Sequence, residues 1–109
     1  MMKITCEDKK LGRDLADERN LRGRYRQAVS KAIMKKLGAL NASETLAGYR
    51  KFDIRLEKLT GGIAEYSVHL SANWRLIFRP KEPIPRTPDG GIDEKEVKEI
   101  VLVNIVDYH

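Results

Sequence analysis

Residues 66–79 read Tyr-Ser-Val-His-Leu-Ser-Ala-Asn-Trp-Arg-Leu-Ile-Phe-Arg, and this stretch decides the fold. Apolar and polar side chains alternate on either side of residues 71–73, a period that is typical of strands with one buried face. A three-residue loop places the two apolar faces on the same side and pairs His69 with Arg75. We therefore predict a β-hairpin whose polar face carries these two residues together with Arg79.

Three other segments complete the predicted sheet and its connections. Residues 99–108 are apolar on both faces over their first half, which is typical of a central strand. Residues 2–6 alternate apolar and polar side chains and predict a short first strand. Residues 80–96 contain all four prolines and two adjacent glycines, so we expect an exposed excursion rather than a strand.

Helices are predicted before the hairpin. Residues 9–18 form an imperfect helix, because Gly12 lowers the helical propensity. The clearest helix runs over residues 22–37, where apolar side chains recur every four positions and Gly38 is expected to end it. A short helical turn with Leu46 buried should follow. The apolar stripe of the clearest helix consists of Tyr25, Val29, Ile33 and Leu37, with Ala28, Ala32 and Leu40 beside it.

This order of elements indicates the α+β class. Helices are expected to pack on one face of a small, largely antiparallel sheet, and residues 1–109 are expected to form a single domain. The opposite face of the sheet is then open, polar and basic. Such a face suits RNA better than a small metabolite, because RNA is recognised through its phosphates and its unstacked bases.

The composition excludes several classes of protein. The chain has 109 residues, of which 41% are hydrophobic, and a single cysteine, Cys6, which leaves no internal disulfide and no cysteine-rich zinc site. No apolar run approaches the roughly 18 residues that span a bilayer. No phosphate-binding loop or nucleophile motif favours a small-metabolite enzyme. We therefore expect a reduced, soluble, cytoplasmic protein that uses no metal and no cofactor.

Positive charge is concentrated in the first half of the chain. Residues 1–55 carry 14 basic and 7 acidic side chains, whereas residues 56–109 carry 7 and 9. Residues 19–36 carry seven basic side chains and no acidic one. Two interpretations stay open, a surface that binds a polyanion such as RNA and a solvated helix face. The basic stripe of the predicted helix contains Arg24, Lys31 and Lys35.

Two short motifs resemble the HigB-like toxins, the plasmid-maintenance killer branch of the RelE superfamily in bacterial toxin–antitoxin systems. They are Asn-Trp-Arg at residues 73–75 and Asp-Tyr-His at residues 107–109. A basic helix, Leu-Ala-Gly at residues 46–48 and Leu-Thr-Gly at residues 59–61 precede them in the family's order. The resemblance covers most of the chain and implies a RelE-like fold of the microbial-ribonuclease type.

The resemblance also implies a function and a set of partners. Members of this family are ribosome-dependent endoribonucleases that cut messenger RNA in the decoding site. A helix-turn-helix antitoxin of the HigA type holds such a toxin inactive. The implied partners are therefore this antitoxin, the ribosome and mRNA, with operator DNA contacted only through the antitoxin and no membrane involved.

The residues implied in catalysis are Arg75, Asp107, Tyr108 and His109. Metal-independent cleavage through the ribose 2′-hydroxyl needs a base, an acid and a cation that stabilises the charge on the phosphate. His109 is the natural acid or base, because imidazole titrates near neutrality; a frayed terminal histidine is the alternative. Arg75 can bind phosphate oxygens through two nitrogens. Tyr108 could stack on a base or end the strand in the core, and Asp107 could orient His109 or pair with an arginine.

A departure from the family pattern leaves a second function open. Many HigB-like proteins carry a histidine and a lysine around the turn before the first hairpin strand, where this sequence has Glu57 and Thr60. Glu57 could replace the histidine as general base. Alternatively, the chain is a non-catalytic RelE-like module that binds an antitoxin or RNA without cutting. Lys58 lies between the two positions, and we assign it to RNA or ribosome binding together with His69 and Arg79.

Two further expectations concern the surroundings of these residues. Trp74 shares its strand face with Leu76 and Phe78 and is expected in the core. The acidic end of the excursion would repel RNA if it folded over the polar face of the sheet. This acidic end consists of Asp93, Glu94 and Glu96.

Overall fold

A computed structural model describes residues 1–60 and 64–108, and within these ranges the chain forms five strands and four α-helices. The strands are β1 (Lys3–Cys6), β2 (Glu57–Lys58), β3 (Tyr66–His69), β4 (Trp74–Pro80) and β5 (Glu99–Asp107). The helices are α1 (Lys9–Ala16), α2 (Glu18–Arg24), α3 (Gln27–Ala42) and α4 (Leu46–Phe52), and a 3₁₀ turn covers Glu94–Glu96.

The five strands form one sheet in the order β1-β5-β4-β3-β2. The β1–β5 pair is parallel, and the other three pairs are antiparallel. β5 lies inside the sheet between β1 and β4, as its apolar residues predict. The predicted α+β class with a largely antiparallel sheet is therefore confirmed.

The register of the hairpin agrees with the prediction from its loop length. His69 pairs with Arg75 across β3 and β4, and the backbone N–H of Leu70 donates to the carbonyl of Trp74 at 2.9 Å. One face of the hairpin is fully buried; it presents Tyr66, Val68, Leu76 and Phe78, each with 0% exposure. The Tyr66 and Phe78 rings stack across the two strands with centroids 5.5 Å apart.

The helices pack on this apolar face and supply the other half of the core. Their side chains with 0% exposure are Leu21 of α2, Ile33 and Leu40 of α3, and Leu46 and Tyr49 of α4. Burying each such side chain contributes roughly 1.5–3 kcal/mol before the entropy of ordering it is counted. The helices cover this face, and the strand residues His69, Arg75 and Arg79 lie on the second face of the sheet.

The second face is less open than the sequence predicts. Ser67, Ile77 and Val101 lie on it, yet they are only 3%, 4% and 5% exposed. The pairing of β4 with β5 shifts between Ile77 and Phe78, which indicates a β-bulge. The centre of this face is thus apolar and buried, and its charged side chains lie around that centre.

The predicted helix over residues 22–37 is wrong at both ends. α2 ends at Arg24, and Tyr25 and Arg26 take extended backbone before α3 begins at Gln27. The hydroxyl of Ser30 donates to the carbonyls of Leu21 at 3.0 Å and Tyr25 at 3.3 Å, and these hydrogen bonds connect α3 to the end of α2 across the break. A four-residue period cannot reveal such a tertiary cap.

Gly38 does not end α3, which continues to Ala42. A glycine inside a helix costs about 1 kcal/mol relative to alanine, and burial of Leu40 two positions later offsets that cost. The first predicted helix is also divided. Asp17 ends α1 and begins α2, and its carboxylate accepts from the N–H of Arg19 at 2.9 Å.

The excursion before β5 folds onto the helical side of the molecule. Glu94 of the 3₁₀ turn binds Arg50 of α4 through two hydrogen bonds of 2.8 and 2.9 Å. The hydroxyl of Tyr66 donates to the same carboxylate at 2.8 Å. The acidic end of the excursion is therefore anchored away from the polar strand face that it could have covered.

Candidate functional site

Three of the four residues implied in catalysis lie at one end of the sheet, with Arg75 on one face and Asp107 on the other, beside Trp74. Trp74 pairs with Asp107 and Arg75 pairs with Val106 across β4 and β5. The N–H of Tyr108 donates to the carbonyl of Asn73 at 2.8 Å. The hairpin loop and the end of β5 are therefore adjacent. The fourth residue, His109, lies outside the described residues.

Arg75 has a structural role that the sequence did not suggest. Its Nη1 donates to the carbonyls of Ser71 at 2.9 Å, Ala72 at 3.3 Å and Trp74 at 3.0 Å. The side chain is half-buried. The guanidinium thus holds the loop in its turn while it keeps its positive charge at the loop's surface.

His69 faces Arg75 across the hairpin and is half-buried. Burial lowers the pKa of its imidazole below the usual 6.5, and the charges of Arg75 and Arg55 lower it further. The carboxylates of Glu57 and Asp53 act in the opposite direction without reversing the shift. The imidazole is therefore neutral at pH 7 and can accept a proton. No sequence pattern associates Arg55 with His69, because the two residues lie 14 positions apart.

The edge strand β2 separates two residues that the sequence placed together. Glu57 pairs with Ser67, on the same face as His69, whereas Lys58 pairs with Tyr66, which belongs to the core face. Lys58 is exposed on that side, and its positive charge is one of those that lower the pKa of the Glu94 carboxylate. The structure therefore joins Glu57, and not Lys58, to His69.

Arg79 shares the face of Arg75 but lies four residues farther along β4. Four residues of strand span roughly 13 Å, so Arg79 is too far along the sheet to act at the same phosphate as Arg75. It pairs with Val101 of β5 and approaches the carboxylate of Glu7 at 3.8 Å. If Arg79 binds RNA as predicted, it would contact a different phosphate of the RNA strand from the one at Arg75.

A groove of about 640 Å³ lies on the other side of the hairpin loop, between this loop and the break between α2 and α3. Tyr25 and Trp74, which both line it, meet edge to face with ring centroids 5.4 Å apart and planes at 87°. Trp74 is half-buried rather than a full core residue as predicted. The groove is lined by Arg24, Tyr25, Arg26, Ala28, Val29, Ser71, Asn73, Trp74 and Asp107.

Two arginines give this groove its positive charge. Arg24 approaches Asp14 at 3.4 Å, and 48% of its side chain is exposed. Arg26 is exposed, and among the described residues no carboxylate lies within 4.0 Å of it. It precedes α3, whose first turn contains no acidic residue. The sequence contained Arg26 in its basic block, but only the helix break turns it towards the hairpin.

The rest of the basic block is partly neutralised within the molecule. Lys36 donates to the buried carboxylate of Asp53 at 3.1 Å, and Arg19 approaches Asp17 at 3.6 Å. Lys31 and Lys35 are exposed, four positions apart on α3, and four positions place them on one helix face. The basic surface is therefore smaller than seven positive charges suggest.

The described part of the chain contains no candidate metal site and no candidate membrane-spanning helix. Residues 1–60 and 64–108 contain no group of three or more His, Cys, Asp or Glu side chains that could hold a metal ion. In the same ranges no helix combines the length and the apolar character needed to cross a membrane.

Comparisons with family models, with curated proteins and with solved structures found no match to this chain. The resemblance to HigB-like toxins therefore rests on the residues quoted above.

Proposed function

We propose that this protein is the toxin of a type II toxin–antitoxin pair and acts as a ribosome-dependent endoribonuclease on mRNA. The observation that carries the proposal is the arrangement at one end of the sheet. There His69 and Arg75 pair on one face of the sheet, and the chain at Asp107 and Tyr108 runs beside the hairpin loop that connects their strands. A proton acceptor beside a permanent cation is what cleavage of RNA through its own 2′-hydroxyl requires.

The proposed reaction uses groups of this chain and of the RNA alone. A base, the neutral imidazole of His69 or the carboxylate of Glu57, takes the proton of the ribose 2′-hydroxyl. The 2′-oxygen attacks the adjacent phosphorus, and Arg75 stabilises the added negative charge. The bond to the 5′-oxygen breaks, and an acid, for which we propose His109, protonates the departing oxygen. The products are a 2′,3′-cyclic phosphate and a 5′-hydroxyl end.

Substitutions at three positions test this assignment on mRNA-programmed ribosomes. His69→Gln and His109→Ala each remove one proton-transfer group and are expected to slow cleavage by about 10²–10⁴-fold. Arg86→Ala is the matched control, because Arg86 is exposed on the excursion far along the chain from the site. Wild-type protein that neither arrests growth when induced nor cuts ribosome-bound mRNA would contradict the proposed function.

The second candidate is a non-catalytic module of the same fold that binds an antitoxin or RNA. Glu57 and Thr60 favour it, because the family's usual histidine and lysine are missing there. Binding to programmed ribosomes without cleavage, at enzyme concentrations above that of the ribosome, would support this candidate over the nuclease.

We further propose a helix-turn-helix antitoxin as the partner in the cytoplasm. Such a partner would cover the exposed basic residues of α3, including Lys31 and Lys35. Co-purification with the product of the adjacent reading frame, followed by light scattering, tests this. A lone monomer recovered from the native host would contradict it.

A further inference from the structure

We propose that the groove between the α2–α3 break and the hairpin loop binds one nucleotide of single-stranded RNA, with its base against Trp74 and its phosphate at Arg26 and Arg24. The identity of the ligand as RNA rests on the proposed function. The site itself rests on the groove, which is separate from the His69–Arg75 pair and lies on the other side of the hairpin loop.

The groove provides a surface against which a base can stack. Trp74 is half-buried, so part of its ring system faces the groove instead of the core. Tyr25 contacts it at a centroid distance of 5.4 Å with the two ring planes at 87°, so the two rings do not stack on each other. Stacking on such a platform is tolerant of sequence, because every base has a π-face.

The charges of the groove give a bound nucleotide a preferred direction. Arg24 and Arg26 lie on the helical wall, whereas Asn73 and Asp107 lie on the wall formed by the hairpin and β5. A phosphate is attracted to the arginines, and the amide of Asn73 can hydrogen-bond the polar edge of a base. We therefore expect the phosphate on the helical wall and the polar edge of the base towards Asn73.

The hairpin loop connects this groove to the proposed site of cleavage. Asn73 and Trp74 line the groove, and Arg75 follows them on the opposite face of the sheet. Arg75 is also bonded to the carbonyls of this loop. We infer that an RNA strand with one nucleotide in the groove continues across this loop towards Arg75, so that the groove positions the substrate.

The fluorescence of Trp74, the only tryptophan of the chain, reports directly on occupancy of this groove. The probe is a hexanucleotide of 2′-O-methyl RNA, which has no free 2′-hydroxyl and cannot be cleaved by the proposed reaction. We expect saturable quenching of Trp74 as the probe is added. Fluorescence anisotropy of a labelled copy of the probe measures total binding in parallel.

Substitution of Arg26 separates the groove from the rest of the basic surface. Arg26→Gln should weaken quenching about tenfold and reduce the slope of log K against log salt by about 0.7, the value for one phosphate bound on a single strand. Arg26→Lys should recover part of both effects. Arg86→Gln, an equal loss of charge on the excursion, should change neither. Circular dichroism confirms that each variant is folded.

Each outcome decides for or against the groove. Quenching that Arg26→Gln weakens supports the site. Three results would overturn it. They are binding seen by anisotropy without quenching of Trp74, equal quenching in Arg26→Gln and wild type, and no binding of the probe at all. His69→Gln separates the two proposals, because it should slow cleavage by about 10²–10⁴-fold while it leaves quenching within about twofold, since His69 does not line the groove. Quenching without any cleavage in wild-type protein would contradict the nuclease and keep the groove.

Discussion

At the scale of single residues, Arg75 has an observed role in the hairpin loop and a proposed role in catalysis. Its Nη1 closes the hairpin loop through three carbonyls, and its charge lies beside His69. A cation held in place by the backbone loses little entropy when a phosphate binds, which favours the stabilisation of a developing charge. The same hydrogen bonds mean that removal of the side chain also affects the loop.

Arg75→Ala is expected to lower the cleavage rate by about 10²–10³-fold and the free energy of unfolding by about 1 kcal/mol. Arg75→Lys keeps the charge but loses the fork of donors, so it should recover more stability than activity. Single-turnover cleavage and urea unfolding measure the two effects. A folded Arg75→Ala protein with full toxicity would make the assignment wrong.

His69 should make the stability of the protein depend on pH. Burial and the neighbouring cations lower the pKa of its imidazole in the folded state below the unfolded value of 6.5. The unfolded chain therefore binds more protons, so this contribution to stability is complete above about pH 6.5 and is lost as the pH falls towards the folded pKa.

His69→Gln is expected to flatten the fall in unfolding free energy between about pH 7 and pH 5. Urea unfolding at several pH values measures it, and His109 is present in both proteins, so its contribution cancels. The groups that set the shift lie on the strands and loops around His69; they are Arg75, Arg55, Glu57 and Asp53. Identical pH profiles for the two proteins would contradict the lowered pKa.

At the scale of elements, Glu94 joins the excursion to α4 and to the sheet. Its carboxylate accepts from Arg50 and from the hydroxyl of Tyr66, whose side chain is 0% exposed. The guanidinium of Arg50 lowers the pKa of Glu94, so the carboxylate stays charged at neutral pH. Without this carboxylate the Tyr66 hydroxyl would lose the acceptor to which it donates.

Glu94→Ala is expected to cost about 1–3 kcal/mol of unfolding free energy, the penalty of an unsatisfied buried hydroxyl. Adding Tyr66→Phe removes that hydroxyl, so the double variant should lose less than the sum of the single variants. Glu96→Ala is the matched control, because Glu96 is 61% exposed and pairs with Lys98 at 3.9 Å; its loss should cost under about 0.5 kcal/mol. Equal losses for Glu94→Ala and Glu96→Ala would contradict the anchoring role.

At the scale of the whole molecule, charge is divided between the two halves of the chain. The basic half forms α1 to α4, and the acidic half forms most of the sheet and the excursion. Ion pairs within the molecule use part of the basic block, as the pairing of Lys36 with Asp53 shows. Lys31 and Lys35 of α3 are exposed, so their charges are available for the proposed binding of a polyanion.

Replacing Lys31 and Lys35 together by alanine should weaken ribosome binding modestly. It should also flatten the salt dependence, because the slope of log K against log salt falls by about 0.7–0.9 for each phosphate that the variant no longer binds. Cleavage at saturating enzyme should stay unchanged, because neither residue lies at the proposed site. Replacing Lys81 and Lys95, which are equally exposed in the acidic half, is the matched control. Equal salt slopes for the two double variants would contradict a directed basic surface.

Much of the fold follows from short-range pattern. Alternation over residues 66–79 and a three-residue loop predict the pairing of His69 with Arg75, and the doubly apolar run predicts the inner strand β5. These features depend on the pleat of a strand and on loop length, which are properties of neighbouring residues. The motif at residues 73–75 and the residues at the end of β5 are candidate site residues through the resemblance to HigB-like toxins, which stays a prediction.

Only the tertiary structure decided which residues far apart in the chain form hydrogen bonds or change each other's pKa. Ser30 caps the break that turns Arg26 to the groove, and Arg55 comes close enough to His69 to lower its pKa. Lys58 turns away from His69, although it lies beside Glu57 in the sequence. Hydrogen bonds and charges act through space over a few ångströms, so the sequence by itself determined which strands form, and only packing decided which side chains share a site.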